Sequence, residues 1–241
     1  MKTPRFLVAA CIALALAFTF SCSSDDDSDP PPAPVQLSSS GGGSSSSDGA
    51  QVGIGCSIQD YSTVKIGEQL WMAENMNCEV DGSVCYDDDP ANCVDYGRLY
   101  TWEAAMSVCP SGWHLPSDDD WDELYAAAEE GACSDGNCPT AGKHLKAKTG
   151  WEDCGPSGGS SYSCEDTHGF SALPGGNGFS DGDFDGTGYD GAGYNGLWWS
   201  SSESEDASDS AYSRYMSFNY EGAIRLTDDK SGLFSVRCVQ D

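Results

Sequence analysis

Residues 109–117 read Cys109-Pro110-Ser111-Gly112-Trp113-His114-Leu115-Pro116-Ser117, and this stretch connects two segments with helical patterns. Proline, serine and glycine in succession are typical of a tight turn, because proline fixes the backbone and glycine frees it where the chain reverses. Trp113 and Leu115 are the large apolar residues of the stretch, and we expect both to be buried where the helices meet. The stretch therefore predicts a packed corner around which the rest of the domain is built.

Apolar residues at helical spacing lie on each side of this corner. Before it, one apolar stripe predicts a helix over residues 97–108, and its members are Leu99, Trp102, Ala105 and Met106. After it, Ser117 is the predicted N-cap of a second helix, with Asp120 in the capping-box position and Gly131 at the end. The apolar face of this second helix contains Trp121, Leu124, Tyr125 and Ala128.

Alternating apolar and polar residues predict antiparallel strands. Val64 and Ile66 are followed across a polar turn by Leu70 and Met72, which indicates an early hairpin. Later strands are predicted at residues 198–199, 212–218, 223–227 and 233–239. Two helices with antiparallel strands make an α+β domain, and its many glycines and serines make it rich in loops.

The first 22 residues resemble the signal peptide of a bacterial lipoprotein. Lys2 and Arg5 flank the start of an apolar run of about fifteen residues, which is shorter than the ~20 residues that cross a bilayer as a helix. The run ends in Thr19-Phe20-Ser21-Cys22. The resemblance implies that residues 1–21 are a signal peptide and that Cys22 carries lipid, palmitate included, as a membrane anchor. The alternative is ordinary secretory cleavage with an unmodified Cys22.

Residues 22–55 are rich in Ser, Asp, Pro and Gly, with too few apolar side chains to offset the entropy of ordering. We expect a disordered tether here. The run Asp25-Asp26-Asp27 resembles the acidic signals that send some lipoproteins to the outer surface of the bacterial outer membrane, and a charged solvating linker accounts for it equally. Residues 56–241 are then expected to form one domain.

The chain is strongly acidic, with a formal net charge of −28. Removal of the signal takes away Lys2 and Arg5 and no acid, so the charge becomes −30. A surface this negative repels phosphate backbones and anionic lipid headgroups, which argues against nucleic acid as a partner and against electrostatic docking on a membrane. Contact with a membrane is expected through the lipid anchor.

Twelve cysteines occur in the chain, and ten remain after Cys11 in the signal and Cys22 at the anchor. An even number in an exported domain indicates disulfides. Zinc is the competing use, but no two cysteines have C-x-x-C spacing. Proximity favours Cys85–Cys93, Cys133–Cys138, Cys154–Cys164 and Cys56–Cys78, with Cys109–Cys238 joining the corner to the last strand. Sequence alone leaves other pairings open.

Five blocks in order along one domain resemble the signature blocks of the Fibrobacter succinogenes major paralogous domain. They are residues 96–102 (YGRLYTW), 109–117 (CPSGWHLPS), 169–176 (GFSALPGG), 198–203 (WWSSSE) and 234–239 (FSVRCV). The resemblance extends over residues 63–241, and it implies a C-type-lectin-like superfold in secreted or lipid-anchored bacterial surface proteins. The formylglycine-generating sulfatase-modifying enzymes share that superfold, but the surroundings of their catalytic cysteine have no matching motif here, so the resemblance implies no activity.

Residues 180–186 contain the D-x-D-x-D-G pattern that begins a calcium-binding loop, with Asp181, Asp183 and Asp185 as the ligands. Position twelve is Ala192 instead of a bidentate glutamate, which excludes an EF-hand and a dockerin-type repeat. Calcium with Asp190 as a substitute ligand is one hypothesis, and a solvated acidic loop without a cofactor is the other.

Four aromatic residues lie in or beside glycine-rich segments, where an exposed ring can stack on the apolar face of a sugar. They are Tyr189, Tyr194, Trp198 and Trp199. Core packing is the competing interpretation, and it is favoured for Trp198 and Trp199 because large aromatic side chains are usually buried. Tyr189 and Tyr194 are the stronger candidates for ligand binding.

No catalytic residue is predicted. Residues 169–173 lack the closing glycine of G-x-S-x-G, and His114 lies between Trp113 and Leu115, as a packing histidine does. The sequence favours a lipid-anchored, non-catalytic cell-surface module that binds polysaccharide or another cell-envelope component. A glycan-active or sulfatase-modifier-like enzyme and a structural adhesion protein are the alternatives.

Overall fold

The computed structural model describes residues 56–129, 132–152, 154, 162–179 and 191–241. Within these residues it contains four α-helices and two β-sheets, so the predicted α+β class is confirmed. The signal peptide, Cys22 and the tether lie outside the described residues.

The smaller sheet has four strands, all antiparallel, in the order β1-β2-β10-β5. Its strands are β1 (Thr63–Ile66), β2 (Gln69–Met72), β5 (Trp113–His114) and β10 (Val239–Gln240). The predicted early hairpin is confirmed, since Ile66 pairs with Gln69 and Thr63 with Met72. The corner supplies β5, in which Trp113 is half-buried, and Leu115 directly after it is 4% exposed.

The larger sheet has six strands in the order β3-β4-β9-β6-β7-β8. Its strands are β3 (Ser83–Val84), β4 (Leu99–Tyr100), β6 (Asn195–Glu203), β7 (Ser210–Ser217), β8 (Ile224–Asp229) and β9 (Phe234–Ser235). The expectation of antiparallel strands is wrong at one place, because β6 and β9 pair in parallel. The single strand predicted over residues 233–239 is also wrong: the segment divides into β9 and β10, which lie inside different sheets.

The four helices are α1 (Pro90–Tyr96), α2 (Trp102–Val108), α3 (Asp118–Ala128) and α4 (Ala141–Leu145). Two helices were predicted, and α1 and α4 are additional short ones. The helix predicted over residues 97–108 begins only at Trp102, because Leu99 and Tyr100 form β4, which pairs with β3 and β9, and the Thr101 side chain caps α2. The capping box of Ser117 and Asp120 at the start of α3 is confirmed.

Aromatic side chains fill the core in two clusters. In the first, the Trp71 ring lies 5.0 Å from the Trp121 ring and 5.6 Å from the Phe170 ring, measured between centroids. In the second, the Trp199 and Phe234 rings are 4.2 Å apart. Both clusters include residues of the terminal segment 234–239.

Five disulfides join the described cysteines, and they are the five pairs that the sequence analysis favoured. They are Cys56–Cys78, Cys85–Cys93, Cys109–Cys238, Cys133–Cys138 and Cys154–Cys164. The bridge from Cys109 to Cys238 spans a sequence separation of 129 residues and fixes the corner to the terminal segment. In the described part of the chain, we find no helix that combines the length and apolar character needed to cross a membrane.

Lys146 lies just after α4 and is 0% exposed. Its Nζ donates to the carbonyl oxygens of Ser217 and Tyr220, each at 2.7 Å. Burial lowers the pKa of Lys146 to about 8, against the opposing influence of the Glu221 carboxylate. Lys146 therefore links the segment after α4 to the end of β7. Burial disfavours the charged form of its ammonium group.

Candidate functional site

Trp198 and Trp199 do not form a ligand surface. Both are 0% exposed, and both indole N–H groups are used inside the protein. Trp198 Nε1 donates to Asn75 Oδ1 at 2.9 Å, and Trp199 Nε1 donates to the Tyr100 carbonyl at 2.8 Å. Core packing, which the sequence favours for both residues, is therefore correct and the alternative of sugar stacking is wrong, because the side chains of β6 are buried along most of the strand.

Tyr194 is half-buried, and its ring packs edge-on against Phe218 with 5.3 Å between centroids. Part of its surface remains at the protein exterior, so its assignment to ligand binding stays a prediction. Tyr189 and the predicted calcium ligands Asp181, Asp183 and Asp185 lie outside the described residues.

His114 is held between two carboxylates. Its Nδ1 lies 2.8 Å from Asp241 Oδ1, and its Nε2 lies 3.3 Å from Asp120 Oδ2. Ser117 Oγ donates to the same Asp120 oxygen at 2.6 Å, so the serine contacts the acid and not the imidazole. Burial opposes ionisation of Asp120, but hydrogen bonds from Ser117 and His114 outweigh it and lower the pKa of Asp120. The group caps α3 and ties down the terminal segment, and it does not align a nucleophile with a base.

A pocket of about 190 Å³ opens where four separate segments meet. One wall is the 3₁₀ turn Ile58–Asp60 with Tyr61, a second is the segment that follows β2, a third is α1, and Leu173 closes the fourth side. The lining residues are Asp60, Tyr61, Glu74, Asn75, Asn77, Cys93, Val94, Asp95, Gly97 and Leu173.

Asn75 forms the buried floor of this pocket, with 4% of its surface exposed. Its Oδ1 accepts hydrogen bonds from Trp198 Nε1 at 2.9 Å, from Arg237 Nε at 3.2 Å and from Arg237 Nη2 at 2.9 Å. Its Nδ2 donates to the Tyr96 carbonyl at 2.9 Å. One amide therefore connects the pocket to β6, to the terminal segment and to the end of α1.

Arg237 gives this floor its rigidity. The side chain is 0% exposed, and besides Asn75 its Nη1 and Nη2 donate to the carbonyls of Phe170 and Ser171. The guanidinium carbon also lies 4.3 Å from the centre of the Phe170 ring. Burial lowers the pKa of Arg237 to about 9, with Asp166 and Glu74 acting in the opposite direction. These contacts hold the guanidinium in one orientation and fix Asn75 in turn.

Hydrogen bonds between side chains and the backbone fix the walls to one another. Tyr61 Oη accepts a hydrogen bond from the Asn77 N–H at 2.8 Å, and Asn77 Nδ2 donates to the Cys93 carbonyl at 3.0 Å. Cys93 is itself bonded to Cys85. Gly97 has φ +80°, and a Cβ there would lie 2.8 Å from the Asn75 Cβ, so glycine allows the chain to leave α1 against the pocket floor.

Three exposed acids surround the opening, namely Asp60, Glu74 and Asp95. Asp60 Oδ2 accepts the Ser57 N–H at 3.3 Å, and Glu74 Oε1 accepts the Ser62 N–H at 3.0 Å. No Lys, Arg or His of the described residues forms an ion pair with any of the three. The pocket thus combines a negative rim, an aromatic side and two amides.

Sequence reasoning did not find this pocket. Asn75 and Asn77 directly follow a predicted strand. Two asparagines at the end of a strand are only a weak sequence signal for a polar site. The other walls come from segments as distant as Tyr61 and Leu173. Asp89 and Pro90 could have predicted the start of α1, since aspartate is a common N-cap and proline a common first helical residue. This helix contains Val94 and Asp95.

Comparison with known proteins gives one positive result. Residues 64–240 match the family model described as the Fibrobacter succinogenes major domain. No curated protein and no solved structure matches the chain. The family match spans most of the chain and nearly all of the described residues. The chain therefore belongs to the Fibrobacter succinogenes major domain family.

Proposed function

We propose that this protein is a lipid-anchored cell-surface module that binds polysaccharide or another cell-envelope component without catalysing a reaction. The observation that carries the proposal is the pocket between Tyr61, Asn75 and α1, which presents an aromatic ring, the Asn77 amide and carboxylates around a rigid floor formed by Asn75. Such a mixture is typical of sites that fix a polar ligand by a few hydrogen bonds and pack against its apolar faces. We further propose a C-type-lectin-like superfold, from the order of the signature blocks.

The size of the pocket favours recognition of one small unit of a longer molecule. Drug-sized ligands occupy clefts of about 300–1,000 Å³, and this pocket has about 190 Å³. A single sugar ring or a short branch is the scale that fits. Because the pocket is open to solvent at the Val94 side, where that side chain is 82% exposed, the rest of a polymer can extend away from it.

The construction of the walls favours binding without a change of shape. Asn75 is held by six hydrogen bonds, and α1 is fixed by the Cys85–Cys93 bridge and by Asn77. A site that is ordered before the ligand arrives loses little entropy on binding. This supports a display module whose binding surface is already formed.

Membrane attachment is the second part of the proposal. The lipid would be carried by Cys22, and residues 22–55 would hold the domain away from an outer membrane. Growth with an alkyne analogue of palmitate should label the wild-type protein and leave Cys22→Ser unlabelled. A labelled Cys22→Ser protein, or an unlabelled wild type, would contradict lipidation at this residue.

Binding is tested with the full chain on a glycan array and in pull-downs with cellulose and isolated cell envelope. Val94→Arg places a long side chain over the pocket, and its fold should be unaffected because Val94 is 82% exposed. Met106→Arg is the matched control, since Met106 is an exposed apolar helical residue, 47% exposed, that does not line the pocket.

We expect the wild type and Met106→Arg to retain a glycan or envelope ligand that Val94→Arg loses. Equal retention by both variants would remove the pocket from the proposal. No binding by the wild type to any glycan or envelope preparation would leave the structural adhesion alternative. Turnover of a glycan on the same panel would favour the enzyme alternative.

A further inference from the structure

The pocket has a charge pattern that neutral sugars do not require. Asp60, Glu74 and Asp95 surround a cavity lined also by Tyr61 and Leu173. Each acid is exposed, and none of them is paired with a cation among the described residues. The two carboxylates that accept backbone N–H groups use one oxygen each in these contacts, so the second oxygen remains available to a ligand.

The field of these acids reaches into the pocket. Burial raises the pKa of Tyr61; the Asn77 N–H lowers it, and the negative charges of Asp60 and Glu74 raise it further. Asp60 and Glu74 therefore place a negative potential on a phenol of the lining, which disfavours an anion in this place and favours a cation.

The pocket also offers apolar contact on two sides. Leu173 and the half-buried Tyr61 ring lie within the lining, and Val94 lies at the edge. A small hydrated metal ion makes no use of such surfaces, because hard cations bind oxygen atoms alone. An organic cation with a compact apolar body uses both the surfaces and the charge.

We propose that the pocket binds a sugar residue that carries a free, protonated amino group. Its ammonium would be held by Glu74 and Asp95, and the C–H face of its ring would lie against Tyr61. This rests on the proposed function and names the ligand class, an amino sugar without its acetyl group in a cell-envelope glycan. N-acetylation would remove the charge and add bulk to a ring in a pocket of about 190 Å³.

The test compares two probes that differ in one substituent. Chitosan oligosaccharides carry free amines, and N-acetylated chito-oligosaccharides of the same length carry acetamides. Binding of each to the full chain is measured by calorimetry at moderate and at high salt. One charge-assisted hydrogen bond is equivalent to about a tenfold change in affinity, so we expect the amine form to bind at least ~10-fold more tightly.

Matched variants separate the pocket from the general negative charge of the protein. Glu74→Gln with Asp95→Asn should weaken binding of the chitosan probe at least ~10-fold. Glu123→Gln with Glu205→Gln removes the same charge from exposed acids that do not line the pocket. That control should change the affinity by less than about twofold at high salt, where distant charges are screened.

The outcomes distinguish this inference from the function on which it rests. Equal affinity for the two probes, or equal loss in the two double variants, overturns the amino-sugar assignment while polysaccharide binding stands. Binding of putrescine as tight as that of the chitosan probe also overturns it, since the ring would then contribute nothing. If neither probe nor any neutral glycan binds, both proposals fail.

Discussion

Replacement of Asn75 by alanine should lower the free energy of unfolding by about 4 kcal/mol. The Asn75 Oδ1 is the shared acceptor for Trp198 Nε1 and for two nitrogens of Arg237, at 2.9, 3.2 and 2.9 Å. All three residues are at most 4% exposed, so the Trp198 and Arg237 donors lie beneath Asn75 and do not reach bulk water when its side chain is removed. The substitution therefore leaves donors buried and unpaired.

The magnitude follows from the kinds of donor that lose their acceptor. A neutral buried donor such as the Trp198 indole costs about 1–3 kcal/mol when it is left unpaired. Removing a partner of a buried charge costs about 3–5 kcal/mol, and Arg237 keeps only the Phe170 and Ser171 carbonyls. Partial relaxation makes the two costs less than additive, which gives about 4 kcal/mol against a typical total stability of about 5–15 kcal/mol.

The assay is urea unfolding followed by tryptophan fluorescence, with the disulfides intact. Asn92→Ala is the control, because the half-buried Asn92 makes one hydrogen bond, from Nδ2 to the Tyr86 carbonyl at 2.9 Å, and should cost about 1 kcal/mol. Asn75→Asp keeps the acceptor and should fall between the two. If Asn75→Ala costs no more than Asn92→Ala at an unchanged denaturant slope, the amide does not hold the floor of the pocket.

Three further predictions concern stability. Replacing Cys109 and Cys238 with serine should cost about 5 kcal/mol in the chain-entropy model, because the bridge spans 129 residues, and a loss below about 2 kcal/mol in urea unfolding would contradict this. Since burial lowers the pKa of Lys146 to about 8, the unfolded state binds more protons above that pH; stability should therefore rise by about 1 kcal/mol from pH ~7.5 to pH ~9 in the wild type, and Lys146→Met should abolish the rise. Gly142→Ala should cost about 2 kcal/mol in thermal unfolding, since its Cβ would lie 2.2 Å from the Gly222 carbonyl oxygen, and an unchanged Tm would refute that contact.

Local sequence patterns were sufficient to predict elements that are specified by residues within one short segment. The hairpin over residues 63–72 needs only alternation and a turn, and α3 needs only its capping box and apolar face. Both were predicted within a few residues. The disulfides could also be anticipated, because four of the five pairs join cysteines that are close in sequence.

Non-local pairing accounts for the features that were not predicted. Leu99 has helical spacing with Trp102, yet its backbone pairs with Ser235, and that contact is invisible in a local window. The size of Trp198 favours burial, but its hydrogen-bond partner has no local signal, because Asn75, which accepts its N–H, is 123 residues away. The pocket could not be predicted for the same reason, since its lining residues come from segments as far apart in sequence as Asp60 and Leu173.

The position of the terminal segment decides when this domain can fold. β9 lies between β4 and β6, and β10 lies between β2 and β5, so each sheet is divided until this segment arrives. Residues 234–240 leave the ribosome after every strand that they join. Neither sheet can therefore be completed before residues 234–240 are available, and these non-local pairings must wait for them. A chain that stops ahead of Phe234 would retain at most the β1-β2, β3-β4 and β6-β7-β8 pairings, and neither sheet would be complete.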